Sequence, residues 1–253
     1  MPNAVVMTGY GPPEVLKWAS VPLREPGEGQ IRIKVKAAGI SPTDLVLRAG
    51  YVKAIPLPPN AVLGFEAAGT VDAVGPGVTG ASTGDGVTAL LVSLGGYAEY
   101  AVASIWTRKP DPVSWIDAAA LPSSAEAAVG VLRQLNVKSG ETLLLVGGGG
   151  SVGIIATQLA VAGGIKVISA VGEHDETLAR ELGATPVRYG AGDRVRALGA
   201  VDAVFDAAGK GVLADAIALA GGPRRVITLA DPAAAVFGVT LTGKTWKYWT
   251  FSS

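Results

Sequence analysis

Three glycines, Gly148, Gly150 and Gly153, stand at the spacing G-x-G-x-x-G within ETLLLVGGGGSVG, Glu141 to Gly153. Residues without bulk let a phosphate approach the backbone, and the N–H groups that open a helix attract it. The implied chemistry is the holding of a dinucleotide by its pyrophosphate. The motif carries that meaning only between a strand and a helix. Both are written here. Thr142 to Val146 is apolar and partly β-branched, as a buried parallel strand is, and IIATQLAVAG after the turn repeats apolar residues at helical spacing. Composition excludes several other chemistries. The chain has no cysteine and one histidine, His174, so disulfides, thiolate metal sites, cysteine nucleophiles and histidine clusters cannot be built. Lys+Arg and Asp+Glu both number 21 and no basic run occurs, which argues against a nucleic-acid partner.

The elements that must position these residues fall into two halves. At 253 residues, 49% hydrophobic and 17% charged, the chain is long and apolar enough for two cored domains. The first half reads as short strands divided by glycine and proline: Ala4 to Thr8, Val15 to Val21, Gln30 to Ala38, Leu63 to Gly75, Val87 to Val92 and Gly96 to Ala103. In Gln30 to Ala38 the alternation predicts a half-buried strand with its lysines and arginine in water. Gly39 to Gly50 predicts a loop entering a short helix that Ser41 or Thr43 caps. Many short strands with such turns predict a small barrel-like domain. From Ser123 the pattern becomes strand and helix in alternation: a helix to Asn136, the glycine-turn unit, a strand at Lys166 to Ala170 and a helix from Asp175 to Leu182. Strands at Pro186 to Arg188, Val201 to Asp206 and Arg224 to Ala230 follow, with a helix over Val212 to Ala220. That alternation predicts parallel βαβ units. The boundary is expected near Pro122, giving domains 1–122 and 123–243 and an aromatic tail 244–253. The charge-free run from Thr142 to Ile165 is better explained by strand, turn and helix than by a membrane span, because four glycines interrupt it. No basic segment followed by an apolar run opens the chain, so a soluble cytoplasmic protein without membrane partners is expected.

Several motifs in sequence then carry a resemblance: GYGPPEVL at Gly9–Leu16, KAAGISPTD at Lys36–Asp44, LGFEAAGTVDAVGPGV at Leu63–Val78, GGYAEY at Gly95–Tyr100, AAALP at Ala118–Pro122 and VDAVFDAAG at Val201–Gly209. With the glycine turn they make the chain resemble the medium-chain dehydrogenase/reductase superfamily, in its zinc-independent quinone oxidoreductase branch. The resemblance implies an α/β protein, with an N-terminal chaperonin-10-like β-barrel domain and a Rossmann domain with a doubly wound parallel sheet.

In zinc-dependent relatives a cysteine stands where this chain has Ser41, and a histidine follows the glycine of a G-H-E motif that here reads Gly64-Phe65-Glu66. Phenylalanine ligates nothing and serine replaces a thiolate poorly, so no zinc is expected. Without a Lewis acid, the implied chemistry is hydride transfer from a nicotinamide to a quinone or an α,β-unsaturated carbonyl, a small-molecule substrate. The negative charge then reaches the carbonyl oxygen, which needs a hydrogen-bond donor or water. Ser41, Asp44 and Tyr51 are the catalytic candidates of the 41–51 loop. Asp44 reads equally well as a carboxylate that caps the helix or fixes the loop.

For the cofactor, the expected contacts are Gly148, Gly150, Ser151, Val152 and Gly153 at the turn and Ser169, His174 and Tyr189 near the adenosine end. Ala207, Ala208 and Gly209 are expected beside the nicotinamide ribose, and Leu229 and Ala230 at the nicotinamide. The segment Gly172-Glu173-His174-Asp175-Glu176 is acidic, which suits the free ribose hydroxyls of NADH, whereas the resemblance favours NADPH. NADPH is placed first and NADH second. The resemblance also implies further strands and a helix after the Rossmann domain. Here VTLTGKTWKYWTFSS follows instead, with 4 of the 15 aromatic residues among the last eight. That cluster suggests docking or a homodimer interface. The principal reading is thus a metal-free NAD(P)H-dependent reductase. A cofactor-binding protein of low activity with an incomplete pocket, an enoyl-thioester or biosynthetic-intermediate reductase, and an assembly protein using the aromatic tail stand beside it.

Overall fold

The structure is a computed structural model that describes residues 1–51, 57–188 and 198–242. Tyr189 and the aromatic tail expected over 244–253 lie outside the described residues. The chain divides into two compact units, with the division between Ser123 and Ser124.

Unit 1 is built from β1 (Asn3–Met7), β2 (Leu16–Ser20), β3 (Ile31–Ala38), β4 (Ala61–Val62), β5 (Glu66–Val74), β6 (Gly86–Leu90), β7 (Tyr100–Ala103) and β8 (Ile105–Arg108). They form two antiparallel sheets, in orders β2-β1-β4 and β7-β3-β5-β6-β8. Ile31, Ile33, Ala67, Val71, Val87, Ala89 and Leu91 fill the core of the larger sheet. The strand over 30–38 forms as β3, with Lys34 and Lys36 exposed. Arg32 departs from expectation: it is buried, 2.6 Å from Asp72 and 2.8 Å from Glu25. An irregularity in register between Arg32 and Ile33 breaks the simple alternation, and two acids compensate the buried charge.

Other differences have local causes. β5 starts at Glu66 and not at Leu63, since Gly64 adopts φ +99°, which extended backbone does not use. β7 covers Tyr100–Ala103 only; the N–H groups of Gly96 and Tyr97 turn to the carbonyls of Gly64 and Leu63. β8 and the helix α2 (Trp115–Ala119) are additions the sequence pattern left unread. The short helix α1 (Pro42–Arg48) follows the expected loop.

Unit 2 holds six parallel strands: β9 (Thr142–Val146), β10 (Lys166–Val171), β11 (Thr185–Arg188), β12 (Ala203–Asp206), β13 (Val226–Thr228) and β14 (Thr240–Leu241). Their order is β11-β10-β9-β12-β13-β14, in which the third, second and first strands precede the fourth, fifth and sixth. This is the doubly wound Rossmann order. The helices are α3 (Pro122–Leu135), α4 (Ser151–Ala162), α5 (Glu176–Glu181) and α6 (Leu213–Leu219). Alternate residues of β9 face opposite sides. Leu143 and Leu145 pack with Ala128, Val131, Ala156 and Ala160 of α3 and α4, while Leu144 and Val146 pack with Leu213 and Ala216 of α6. A sheet covered on both faces needs strands apolar throughout, which is why Thr142 to Val146 carries no charge. β13 is shorter than the expected Arg224 to Ala230 because Pro223–Arg225 form a 3-10 turn before it. β14 was hidden by its length of two residues. Among the described residues, no helix is long and apolar enough to cross a membrane.

Candidate functional site

The glycine turn leaves the carboxyl end of β9 and opens α4. Gly147 sits at φ +96°, a left-handed conformation that glycine alone adopts without strain. Its N–H and that of Gly148 bond the carbonyl of Ala170, at 3.0 and 3.3 Å. Gly153 is needed for packing: a Cβ there would lie 2.2 Å from the carbonyl oxygen of Gly147. Gly150 differs. It caps α4 at φ −81°, ψ 165°, which any residue adopts, and among the described residues a Cβ there would meet only the carbonyl oxygen of Gly147, at 3.5 Å. The protein itself therefore leaves Gly150 room for a side chain. The first internal bond of α4 is from the Ile154 N–H to the Gly150 carbonyl, at 2.8 Å. The N–H groups of Ser151, Val152 and Gly153 accordingly have no backbone acceptor within the helix. No side chain among the described residues caps them. Donors and dipole at this helix end are free for an anion.

The neighbouring strand ends converge on the same edge of the sheet. A Cβ on Gly147 would touch Ala207 and Ala208, and a Cβ on Gly209, itself at φ +61°, would lie 2.8 Å from the backbone of Ala230. The sequence-derived residues of β12 and β13 thus lie together beside the turn. A residue the sequence reading passed over holds them. Asp206, fully buried, accepts the N–H groups of Ala208 at 3.1 Å and Gly209 at 3.0 Å and the hydroxyl of Thr228 at 2.8 Å. Thr228 in turn accepts the N–H groups of Ala230 at 3.2 Å and Asp231 at 3.0 Å. The signal was present: a carboxylate closing the apolar strand AVFD has to be answered by donors.

Near the end of β10, Ser169 is buried with no partner for its hydroxyl among the described residues, directly under Gly148. His174 is exposed in a 3-10 turn, Glu173–Asp175. Its neighbour Asp175, half-buried, places its carboxylate against Gly149. Arg188 pairs with Glu176 and, at 3.2 Å, with Glu173; Arg180 pairs with Glu176 at 3.0 Å.

In unit 1 Ser41 and Asp44 form a capping box. The Ser41 N–H and hydroxyl donate to Oδ2 of Asp44, at 2.9 and 2.8 Å, while Oδ1 accepts the N–H of Gly64 at 3.1 Å. Both carboxylate oxygens of Asp44 are thereby engaged in holding loop and helix, and the residue is buried. Tyr51 is 82% exposed. Glu66 is buried, with Oε2 accepting the N–H of Ser123 at 2.8 Å and Oε1 against Gly39. Burial pushes its carboxyl above the usual range, Asp44 adds to this, and the Ser123 bond opposes it. The hydroxyl of Tyr97 is buried with no well-formed hydrogen bond among the described residues, and burial followed by neighbouring Asp44 raises its pKa. The residues do not suit zinc: the side chain of Phe65 has no donor atom, the Ser41 hydroxyl is bonded to Asp44, and Glu66 offers only carboxylate oxygens, one of them already accepting the Ser123 N–H. A largely apolar groove of about 360 Å³, lined by Val21, Leu23, Leu57, Pro58, Val62 and Leu94 among others, contains none of the candidate residues.

Residues 27–110 match the model of the alcohol dehydrogenase GroES-like domain. The chain is 36% identical over 190 residues to the quinone oxidoreductase of Sus scrofa, covering 73% of this chain and 57% of that protein. It is 33% identical over 255 residues to the 2-methylene-furan-3-one reductase of Solanum lycopersicum, covering 95% and 66%. The chain thus spans less than two thirds of the length of these relatives. Among solved structures, a mycobacterial protein in complex with NADPH superposes with a TM-score of 0.78 at 31% identity, covering 96% of this chain and 81% of that one.

Proposed function

This chain belongs to the medium-chain dehydrogenase/reductase superfamily, in its quinone oxidoreductase branch, and on that footing we propose that it moves hydride from a nicotinamide dinucleotide to a quinone or an α,β-unsaturated carbonyl without a metal. The observation that carries the proposal is the glycine turn, with the uncapped N–H groups of Ser151, Val152 and Gly153 and the open space at Gly150. These donors would hold the pyrophosphate. Ala207, Ala208 and Gly209, fixed by Asp206, would support the nicotinamide ribose, and Leu229 and Ala230 would border the ring. The bound dinucleotide supplies the hydride. Kinship favours NADPH, as in the mycobacterial relative, while the acidic residues after β10 favour NADH.

Hydride addition to a conjugated acceptor leaves charge on oxygen, so a donor and a proton are required. Of the three candidates, Ser41 and Asp44 are spent on each other and act as positioning residues for the loop. Tyr51, exposed, is the one of the three left to donate, with water as the alternative. The name of the tomato relative supports an enone as acceptor, and that of the pig relative a quinone. The proposal includes a cytoplasmic homodimer, the dimer resting on the aromatic cluster of residues 246–251.

The test is fluorescence titration with both reduced dinucleotides, followed by simple quinones and enones in the same cuvette. Binding with dinucleotide oxidation is expected. Binding without turnover across a broad acceptor panel would refute the reductase, and no binding would refute the site.

A further inference from the structure

Hydride transfer to a conjugated carbonyl calls for a proton, and a buried carboxyl near Ser41 can give one, an inference that rests on the proposed reductase activity. Glu66 opens β5 and is 5% exposed. Its Oε1 lies 2.2 Å from where a Cβ on Gly39 would stand, so the carboxyl fills the place of that residue's side chain, two positions before Ser41. Its neighbours are acidic or neutral: Asp44 of α1, Tyr97 before β7 and the N–H of Ser123 in α3, with no ion-pair partner among the described residues. Three donors serve Asp44, the N–H and hydroxyl of Ser41 and the N–H of Gly64, whereas a single N–H serves Glu66. Burial, and then Asp44 beside it, hold a proton on Glu66 above the usual carboxylate range. Oε2 accepts the Ser123 N–H, so Oε1 carries that proton. The resulting O–H has no acceptor among the described residues. An unanswered buried donor is costly, and a carbonyl oxygen would relieve it.

We propose that Glu66 donates its Oε1–H to the carbonyl oxygen of the acceptor and yields that proton when hydride arrives. In an enone the new C–H bond forms at the β-carbon, the C=C pair moves between the α- and carbonyl carbons, and the C=O π pair goes to oxygen. The Glu66 O–H bond breaks and the O–H bond of an enol forms, which water converts to the ketone. The acceptor gains the two electrons that the dinucleotide supplies, and the Glu66 carboxylate regains a proton from water. In a quinone the same proton completes the hydroquinone. Tyr51, 82% exposed, gives up a bond to water in order to donate, whereas the Glu66 O–H gives up none.

The full chain is assayed across pH with NADPH, NADH and cyclohexenone, beside Glu66→Gln and Gly39→Ala, with thermal unfolding to establish that each is folded. The unmodified chain is expected to keep its kcat below the raised Glu66 pKa and to lose it as pH rises through that value. Glu66→Gln keeps a hydrogen-bond donor but no transferable proton. It is expected to lose the pH limb and about 100-fold in kcat, with dinucleotide affinity unmoved. Gly39→Ala drives the carboxyl from its place and is expected to lower kcat while keeping the limb. A second readout needs no turnover: with the oxidised dinucleotide bound, the infrared band of the protonated carboxyl is expected to shift when the enone is added. A folded Glu66→Gln within about threefold of the unmodified kcat, or a carboxyl band that the enone leaves unmoved, overturns the proposal and leaves the reductase standing. Failure of the unmodified chain to reduce any enone or quinone overturns the reductase and this proposal with it, a separate result.

Discussion

Gly150 and Gly153 belong to one motif, yet the structure gives them opposite reasons to be glycine, and alanine separates the two. At Gly153 the added Cβ would stand 2.2 Å from the carbonyl oxygen of Gly147 and 2.6 Å from Cα of Gly148, both backbone atoms that no rotamer change can move. The start of α4 must retreat from β9 by roughly an ångström, an overpacking cost of about 1–3 kcal/mol. At Gly150 the nearest atom is 3.5 Å away and the backbone suits any residue. Only the poorer N-cap preference of alanine remains, at most about 1 kcal/mol. In that space, however, the methyl group would meet a pyrophosphate drawn to the helix end. Losing one or two N–H bonds to a charged group, at about 1.5–3 kcal/mol each, weakens binding roughly 10- to 100-fold or more. Thermal unfolding and dinucleotide titration of both variants therefore give crossed results: Gly153→Ala is less stable, and Gly150→Ala is nearly as stable as the unmodified chain but binds poorly. A folded Gly150→Ala that binds with unchanged affinity would refute the claim that the open space serves a ligand. Unimpaired stability of Gly153→Ala would refute the packing reasoning.

Asp206→Ala strands two N–H groups and the Thr228 hydroxyl, so it should cost about 3 kcal/mol or more, read by denaturant unfolding. Ser41→Ala removes a capping box and should cost about 1 kcal/mol while moving kcat less than about tenfold; a fall of about 100-fold or more in kcat would instead make Ser41 an oxyanion donor. Glu66 has a raised pKa, so the folded state holds its proton more tightly than the unfolded chain does. Its contribution is full below the ordinary carboxylate value and is lost as pH rises through the raised one. Relative to Glu66→Gln, the unmodified chain should then lose stability as pH climbs from the acid range toward neutrality; a relative gain over that interval would contradict the assignment.

What could be read from the sequence was local. Apolar β-branched runs, helical spacing and glycine turns each follow from a few neighbouring residues, so Thr142 to Val146 was legible with its boundaries and the turn and a following helix were legible too, although α4 begins at Ser151, three residues before the apolar run that marked it. The same locality put Ser41 forward beside Thr43 as a cap, and the structure takes Ser41, whose partner Asp44 lies three residues on. Features that depend on residues distant in sequence were not legible. Arg32 alternates like a solvent-facing residue, but it is buried and pairs with half-buried Asp72, 40 residues away, and with exposed Glu25. β14 has two residues and no pattern of its own; it exists because β13 offers it an edge. Asp206 is a lone acid in a motif until sheet register sets Thr228 beside it. In the acidic segment after β10, composition singled out His174, whereas folding turned Asp175 toward Gly149. Backbone periodicity is decided within a few residues. The partner of a buried charge is decided by which strands pair and in what register, and only the tertiary structure settles that.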